Sequence, residues 1–158
     1  MPIDQNEFRA ALGRFASGVT IVTTTDADGN HHGITVSAFC SVSLAPPLVL
    51  ICVEKTAGSH DALVQSNVFI INILNHTQAM LSDRFASQII DKFDGIDFNT
   101  GLEGIPVLTD CLVNLECRRH NSYDGGDHTI FIGEVENVRI QDGRPLAYFH
   151  GNYRMLTD

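Results

Sequence analysis

The segment Gly33-Ile34-Thr35-Val36-Ser37-Ala38-Phe39-Cys40-Ser41-Val42-Ser43-Leu44 sets hydroxyls and one glycine inside an apolar, β-type run. A strand that served only a core would carry valines in their place. Free hydroxyls, small side chains and backbone N–H groups at a strand end suit a ligand with carbonyls and a phosphate, because a buried acceptor left unpaired costs roughly 1–3 kcal/mol. The segment is read as strand structure that also lines a ligand site.

On its N-terminal side, Phe8, Ala11, Leu12 and Phe15 recur at helical spacing over Glu7 to Ala16, and Gly18 supplies a stop before the β-branched run Val19 to Thr25. Asp26-Ala27-Asp28-Gly29-Asn30 reads as a hairpin turn, since Asp-Gly accepts the positive φ of tight reversals. On its C-terminal side Pro46-Pro47 breaks the pattern, and Leu48 to Val53 is apolar enough to predict a strand covered on both faces. A short helix is predicted over His60 to Ser66, and a buried strand over Val68 to Leu74. An amphipathic helix follows over Thr77 to Ile89, with Met80, Leu81 and Phe85 inward. Asp91 to Pro106, rich in Asp, Gly and Asn, reads as a long loop of the kind that carries function. Alternation resumes over Cys111 to Arg119 and Thr129 to Ile140 around a turn at Tyr123 to His128, and Pro145 to Phe149 closes with a short strand. The predicted fold is mainly β with peripheral helices, an antiparallel barrel in one domain spanning residues 1–158. Irregular alternation of strands and helices, without G-x-G-x-x-G after a strand, disfavours a doubly wound parallel sheet.

A chain of 158 residues with 44% hydrophobic content can bury a core without staples. Its formal net charge of -9 argues against nucleic acid and against an anionic membrane surface as general partners. A phosphate-bearing ligand must be held by a few local donors against that field. The first residues carry neither a basic start nor an apolar stretch, and no apolar run approaches the roughly 20 residues that span a bilayer, so a cytoplasmic location is expected. Cys40, Cys52, Cys111 and Cys117 lack C-x-x-C spacing and read as reduced core thiols. Asn75-His76-Thr77 matches a glycosylation sequon that carries no weight without a secretion signal.

Phosphate-binding P-loops, H-E-x-x-H and G-x-S-x-G elbows are all missing, which leaves hydrolase and NTPase templates without support. His31-His32 beside a hairpin tip reads as a solvated pair, and no metal site is expected. Asp127-His128 differs, because a turn built on Gly125 and Gly126 delivers an imidazole to the mouth of a strand. It either caps the hairpin or meets a second ligand arriving against the first. Glu54-Lys55-Thr56 is either an exposed loop or a source of a cation and a hydroxyl for a phosphate, with Ser41 and Ser59 as further donors. By periodicity alone Phe85-Ala86-Ser87 belongs to a core.

Together these residues resemble the flavin reductases that supply reduced flavin to two-component monooxygenases, a subset of the FMN-binding split-barrel proteins. The resemblance runs along nearly the whole chain, through Phe15-Ala16-Ser17-Gly18-Val19-Thr20-Ile21-Val22-Thr23, Gly33 to Leu44, Phe69 to Leu74, Gly126-Asp127-His128-Thr129-Ile130-Phe131 and Pro145 to Gly151. It implies a split β-barrel homodimer with FMN or FAD near the subunit interface, NADH or NADPH as electron donor, and a separate flavin-dependent oxygenase as partner. By the same resemblance Thr35, Val36, Ser37 and Ala38 line the isoalloxazine ring. Ser41 and the segment Cys52, Val53, Glu54, Lys55 and Thr56, with Ser59, reach the ribityl chain and phosphate, and Phe85 and Ala86 lie by the rest of the flavin. His128 contacts the nicotinamide or its phosphates, helped by Tyr153 and Arg154, and is the expected catalytic residue. The acidic Glu54 departs from what a phosphate site wants.

Hydride transfer needs two stacked rings about 3–3.5 Å apart in a water-poor site, not a nucleophile, which agrees with the missing triad. The alternative is a non-catalytic flavin-binding or electron-carrier protein on the same barrel. A heme-related or pyridoxamine-phosphate-type oxidase is disfavoured by the Gly-Asp-His turn, and a purely structural module leaves Thr35 to Ser43 without a reason. Few basic clusters favour NADH, with Arg118, Arg119 and Arg154 as the counterweight.

Overall fold

The computed structural model describes residues 2–158; Met1, the first residue of the single domain expected from sequence, lies outside them. A helix α1 (Gln5–Leu12) precedes β1 (Ser17–Gly18), β2 (Thr20–Thr25), β3 (His31–Val36), β4 (Phe39–Leu44) and β5 (Pro47–Glu54). Then come α2 (His60–Gln65), β6 (Val68–Ile73), α3 (Ala79–Ala86), β7 (Phe98–Thr100), a 3-10 turn (Leu102–Gly104) and β8 (Pro106–Leu108). The long hairpin β9 (Val113–Gly125) and β10 (His128–Ile140) leads to β11 (Ala147–Phe149) and β12 (Asn152–Arg154). Seven strands form one antiparallel sheet in the order β3-β2-β6-β9-β10-β5-β4, and its terminal strands β3 and β4 do not pair, so the barrel is split there.

The alternation of β-branched and aromatic side chains builds the barrel core from Val22, Val36, Val49, Ile51, Val53, Leu63, Phe69, Ile71, Cys117 and Phe131. Buried polar groups on the central strands are satisfied within the sheet. Thr20, Thr23 and Thr24 donate to the carbonyls of Val36, Pro106 and Val68. Asn72 donates to Ile21 O and accepts from Leu108 N and the Asn114 amide, which ties β2, β6, β8 and β9 together.

Several expectations are corrected. Helix α1 starts at Gln5 because Asp4 caps it, its carboxylate accepting from Asn6 N and Glu7 N, and it stops at Gly13, well before Ala16. The segment Gly33 to Leu44 is two strands, interrupted at Ser37-Ala38. Strand β5 is covered on one face only, with Val49, Ile51 and Val53 buried and Leu48, Leu50 and Cys52 half-buried on the other. Helix α3 is shorter than predicted and leaves Met80 86% exposed, while Phe85 is fully buried. The expected loop after Asp91 contains β7, paired with β8, and packs Phe93 and Phe98 edge-on against His31. The polar residues after Arg119 continue as strand to Gly125, and β12, unforeseen, pairs with β11. Cys111 and Cys117 are buried thiols as expected, but Cys40 is exposed on the edge strand.

Gly33 is where β3 and α3 meet. A Cβ there would lie 2.5 Å from the ring of Phe85, so only glycine lets that buried aromatic seat the helix on the strand. Gly33→Ala is expected to lower stability by about 1–3 kcal/mol through overpacking, read as a lower urea midpoint with an unchanged slope.

Candidate functional site

Where β5 ends, the loop after Glu54 faces the start of β3 and the chain leaving α3. These three segments enclose a cleft of about 420 Å³, lined by residues 31–34, Glu54, residues 56–59 and residues 86–93. Of the residues expected from sequence it gathers Glu54, Thr56, Ser59 and Ala86. Thr35 to Ala38 continue β3 from the cleft's Gly33-Ile34 edge, and Cys52 N donates to Ala38 O at 3.0 Å, so this segment runs beside the end of β5. Phe39 pairs with Ile51 and Ser41 with Val49, which carries the hydroxyl-rich strand along the same border.

The hydroxyls divide into two groups. Thr35 donates to Ser82 O at 2.6 Å and Ser59 to Gly33 O at 3.1 Å, so both serve the fold. Ser37, Ser41 and Thr56 are exposed, and their hydroxyls make no hydrogen bond among the described residues. Val36 and Val53 turn into the core, as does the ring of Phe85, so these three offer a ligand only their backbone.

The second feature is the β9–β10 turn. Gly126 holds φ at 81°, closing a reversal that sets His128 opposite Gly125 on one side and opposite Glu54 on the other. Lys55 N donates to Asp127 O at 2.9 Å and the Lys55 ammonium pairs with Asp124, so the turn is fastened to the loop that lines the cleft. His128 Nδ1 lies 2.7 Å from Asp127 Oδ1, which orients the ring and leaves Nε2 for another partner. The hydrogen bond from His128 holds the Asp127 carboxyl below the usual range, and that from Lys55 does the same for Asp124. Beneath them His60 Nε2 meets Thr129 Oγ1 at 2.8 Å and its ring tilts on Phe131. Lys55 is thus engaged, and the expected phosphate cation serves as a staple.

Tyr153 and Arg154 sit on β12, on another flank of α3. The Tyr153 hydroxyl hydrogen-bonds with Ser82 Oγ at 2.7 Å and Asp83 Oδ1 at 2.6 Å, and no hydrogen bond joins either residue to His128. Tyr153 and Thr35 therefore converge on Ser82 and brace α3 behind the cleft.

Sequence reasoning missed Arg84 and Lys92. Arg84 donates to the carbonyls of Lys92, Asp91 and Asp94, folding the chain after α3 into one wall of the cleft. Lys92 donates to Gly33 O at 3.1 Å and Phe85 O at 2.8 Å, and burial pulls its pKa below the usual lysine range. The only signal for either was the length of the supposed loop. Burial, followed by the nearby Cys40, pushes the Cys52 thiol up, so it stays protonated at neutral pH. No group of three metal-ligating side chains occurs among the described residues. What the site offers is an open cleft with hydroxyl and cationic donors, bordered by an oriented imidazole. That donor set fits a ligand with carbonyls and a phosphate.

Residues 12–157 match the model of the flavin reductase like domain. The reductase subunit HsaB of a flavin-dependent monooxygenase from Rhodococcus jostii is 41% identical over 96% of this chain and 77% of its own. The FMN reductase (NADH) SmoA of Agrobacterium fabrum is 42% identical over 95% of this chain and 85% of its own. The NADH:FAD oxidoreductase SgcE6 of Streptomyces globisporus, solved with NAD and FAD fragments, superposes with a TM-score of 0.92 at 37% identity, covering 98% of this chain and 93% of that one. The split sheet, the cleft at its open edge and the Gly-Asp-His turn thus coincide with a match along nearly the full length, and the chain belongs to the family of flavin reductase like domains.

Proposed function

We propose that this chain is an NAD(P)H:flavin oxidoreductase that uses NADH to reduce FMN or FAD and supplies reduced flavin to a separate flavin-dependent oxygenase. The observation that carries the reading is the fastening of the His128 turn, through Lys55, to the loop lining a cleft bordered by unengaged hydroxyls. When bound, the flavin supplies an acceptor for the hydride of the nicotinamide. Ser37, Ser41 and Thr56 are the exposed hydroxyls that would hold its polar groups. Backbone N–H groups of the Thr35–Ser41 segment would hold its pyrimidine edge. His128, with Nδ1 held by Asp127, presents Nε2 to the nicotinamide nucleotide.

Electrostatics favour NADH over NADPH. Glu54, opposite His128, and Asp127, on its Nδ1, are carboxylates that would repel a ribose 2'-phosphate there. Arg118 is held by Glu136 and Glu103, and Arg119 by the carbonyls of Leu63 and Val64, so neither is free to receive one.

A homodimer is part of the proposal. The outward face of the split sheet places Cys40 and Leu50 opposite one another, with Ile132 beside Leu50, Ile130 beside Cys52, and Tyr123 beyond Ile130. Leu44 at the end of β4 is 97% exposed. An apolar sheet face of this extent marks an association surface, and it adjoins the Thr35–Ser41 border, which puts the flavin near a second copy.

Anaerobic stopped-flow absorbance tests the activity. Mixing protein and flavin with NADH is expected to bleach the flavin band quickly and NADPH slowly; bound flavin that NADH leaves oxidised supports a flavin carrier instead. His128→Ala is expected to lower kcat/KM for NADH by about tenfold, the loss of one charge-assisted hydrogen bond, with flavin affinity within twofold of the unaltered protein. An unchanged rate refutes its role. In sedimentation the native chain is expected at twice the monomer mass and Leu50→Glu at the monomer mass; a native monomer refutes the dimer.

A further inference from the structure

Resting on the reading of His128 above, we propose that His60 is a positioning residue for hydride transfer, holding the strand that carries His128 against the loop that lines the cleft. His60 is the first residue of α2 and directly follows that loop. Its Nε2 lies 2.8 Å from Thr129 Oγ1, and Thr129 is the neighbour of His128 on β10. A hydroxyl both donates and accepts, so the bond forms with either ring tautomer. Successive side chains of a strand face opposite ways, and Phe131 belongs to the barrel core, so Thr129 points inward and His128 outward. His60 therefore acts through the strand and not on the nucleotide itself.

The helix on which His60 stands is itself fixed at several points. Leu63 of α2 is buried in the barrel core. Arg119 of β9 donates to the carbonyls of Leu63 and Val64, toward the far end of the helix. The His60 ring tilts on Phe131 with centroids 6.0 Å apart, and its side chain is 12% exposed. Nδ1 stands 3.7 Å from the Asp61 carboxylate, too far for a hydrogen bond, so Thr129 is the ring's one hydrogen-bond partner among the described residues. The cleft loop is thus joined to the β9–β10 hairpin at both ends, by Lys55 at its start and by His60 at its finish. The two side-chain joints differ in kind. Lys55 and Asp124 are 42% and 78% exposed, an ion pair that salt screens, whereas the His60 bond is sheltered.

The competing explanation is that His60 only packs against Phe131 and contributes stability. Anaerobic reduction of FMN at saturating NADH, read beside an FMN titration, separates the two. His60→Leu keeps an apolar side chain there and removes the bond, and Thr129→Val removes it from the other side. Each is expected to slow flavin reduction about three- to tenfold, the scale of one hydrogen bond, with FMN affinity within twofold of the unaltered protein. His60→Gln, whose amide can take the place of Nε2, is expected within twofold of the unaltered rate. Adding His60→Leu to Thr129→Val, or to His128→Ala, is expected to slow reduction by less than a further twofold, because each pair acts as a unit. An unchanged rate in His60→Leu or in Thr129→Val overturns the proposal. So does a loss that persists in full in the His128→Ala background, or one that follows a matching loss of FMN affinity. Should His60→Leu fail to fold, Thr129→Val, which changes only a hydroxyl to a methyl, decides alone. An unaltered rate in His128→Ala defeats the reading of His128 instead, a different outcome from any of these.

Discussion

The close contact between Gly33 and Phe85 is the constraint on which the site depends. With no Cβ at residue 33, the Phe85 ring fills that space and seats α3 directly on β3. The same glycine's carbonyl then accepts from Ser59, at the head of α2, and from Lys92, beyond α3. Three segments far apart in sequence are thereby brought to one backbone group. The cleft is the space they enclose, and a side chain at residue 33 would disturb each of its walls at once.

A second fastening sets the chemistry. The β9–β10 hairpin runs beyond the end of β6 while staying paired with β5, and Lys55 binds its turn by a backbone bond and by the Asp124 ion pair. Exposed pairs of this kind add little stability, so their consequence here is geometric. Asp127 completes the arrangement by choosing which imidazole nitrogen faces outward. Nothing in the site acts as a nucleophile or strong acid. Orientation, donors and exclusion of water are what hydride transfer asks of a protein.

Much of the fold was legible because its signals are local. The Asp26–Asn30 turn, the apolar strand β6 and the alternating β10 each announce themselves over a few residues. The misreadings have physical causes. Leu48 to Val53 looked buried on both faces because Leu48, Leu50 and Cys52, on the half-buried face of β5, are as apolar as Val49, Ile51 and Val53 on the core face. The polar end of β9 gave no alternation because both its faces meet water. In the site, His128 and the serines were legible from type and spacing, but the division of labour among them was not. Which hydroxyl is consumed, as with Thr35 on Ser82, and what each lysine binds, a carboxylate for Lys55 and backbone carbonyls for Lys92, are decided largely by contacts between residues tens of positions apart. Periodicity carries no information about such pairings.

A crystal structure of the protein soaked with FMN tests the account most directly. The account predicts the ring along Thr35 to Ser41, beside the His128 turn, and the phosphate in the cleft at Thr56. Flavin bound elsewhere, with that cleft filled only by solvent, would contradict it.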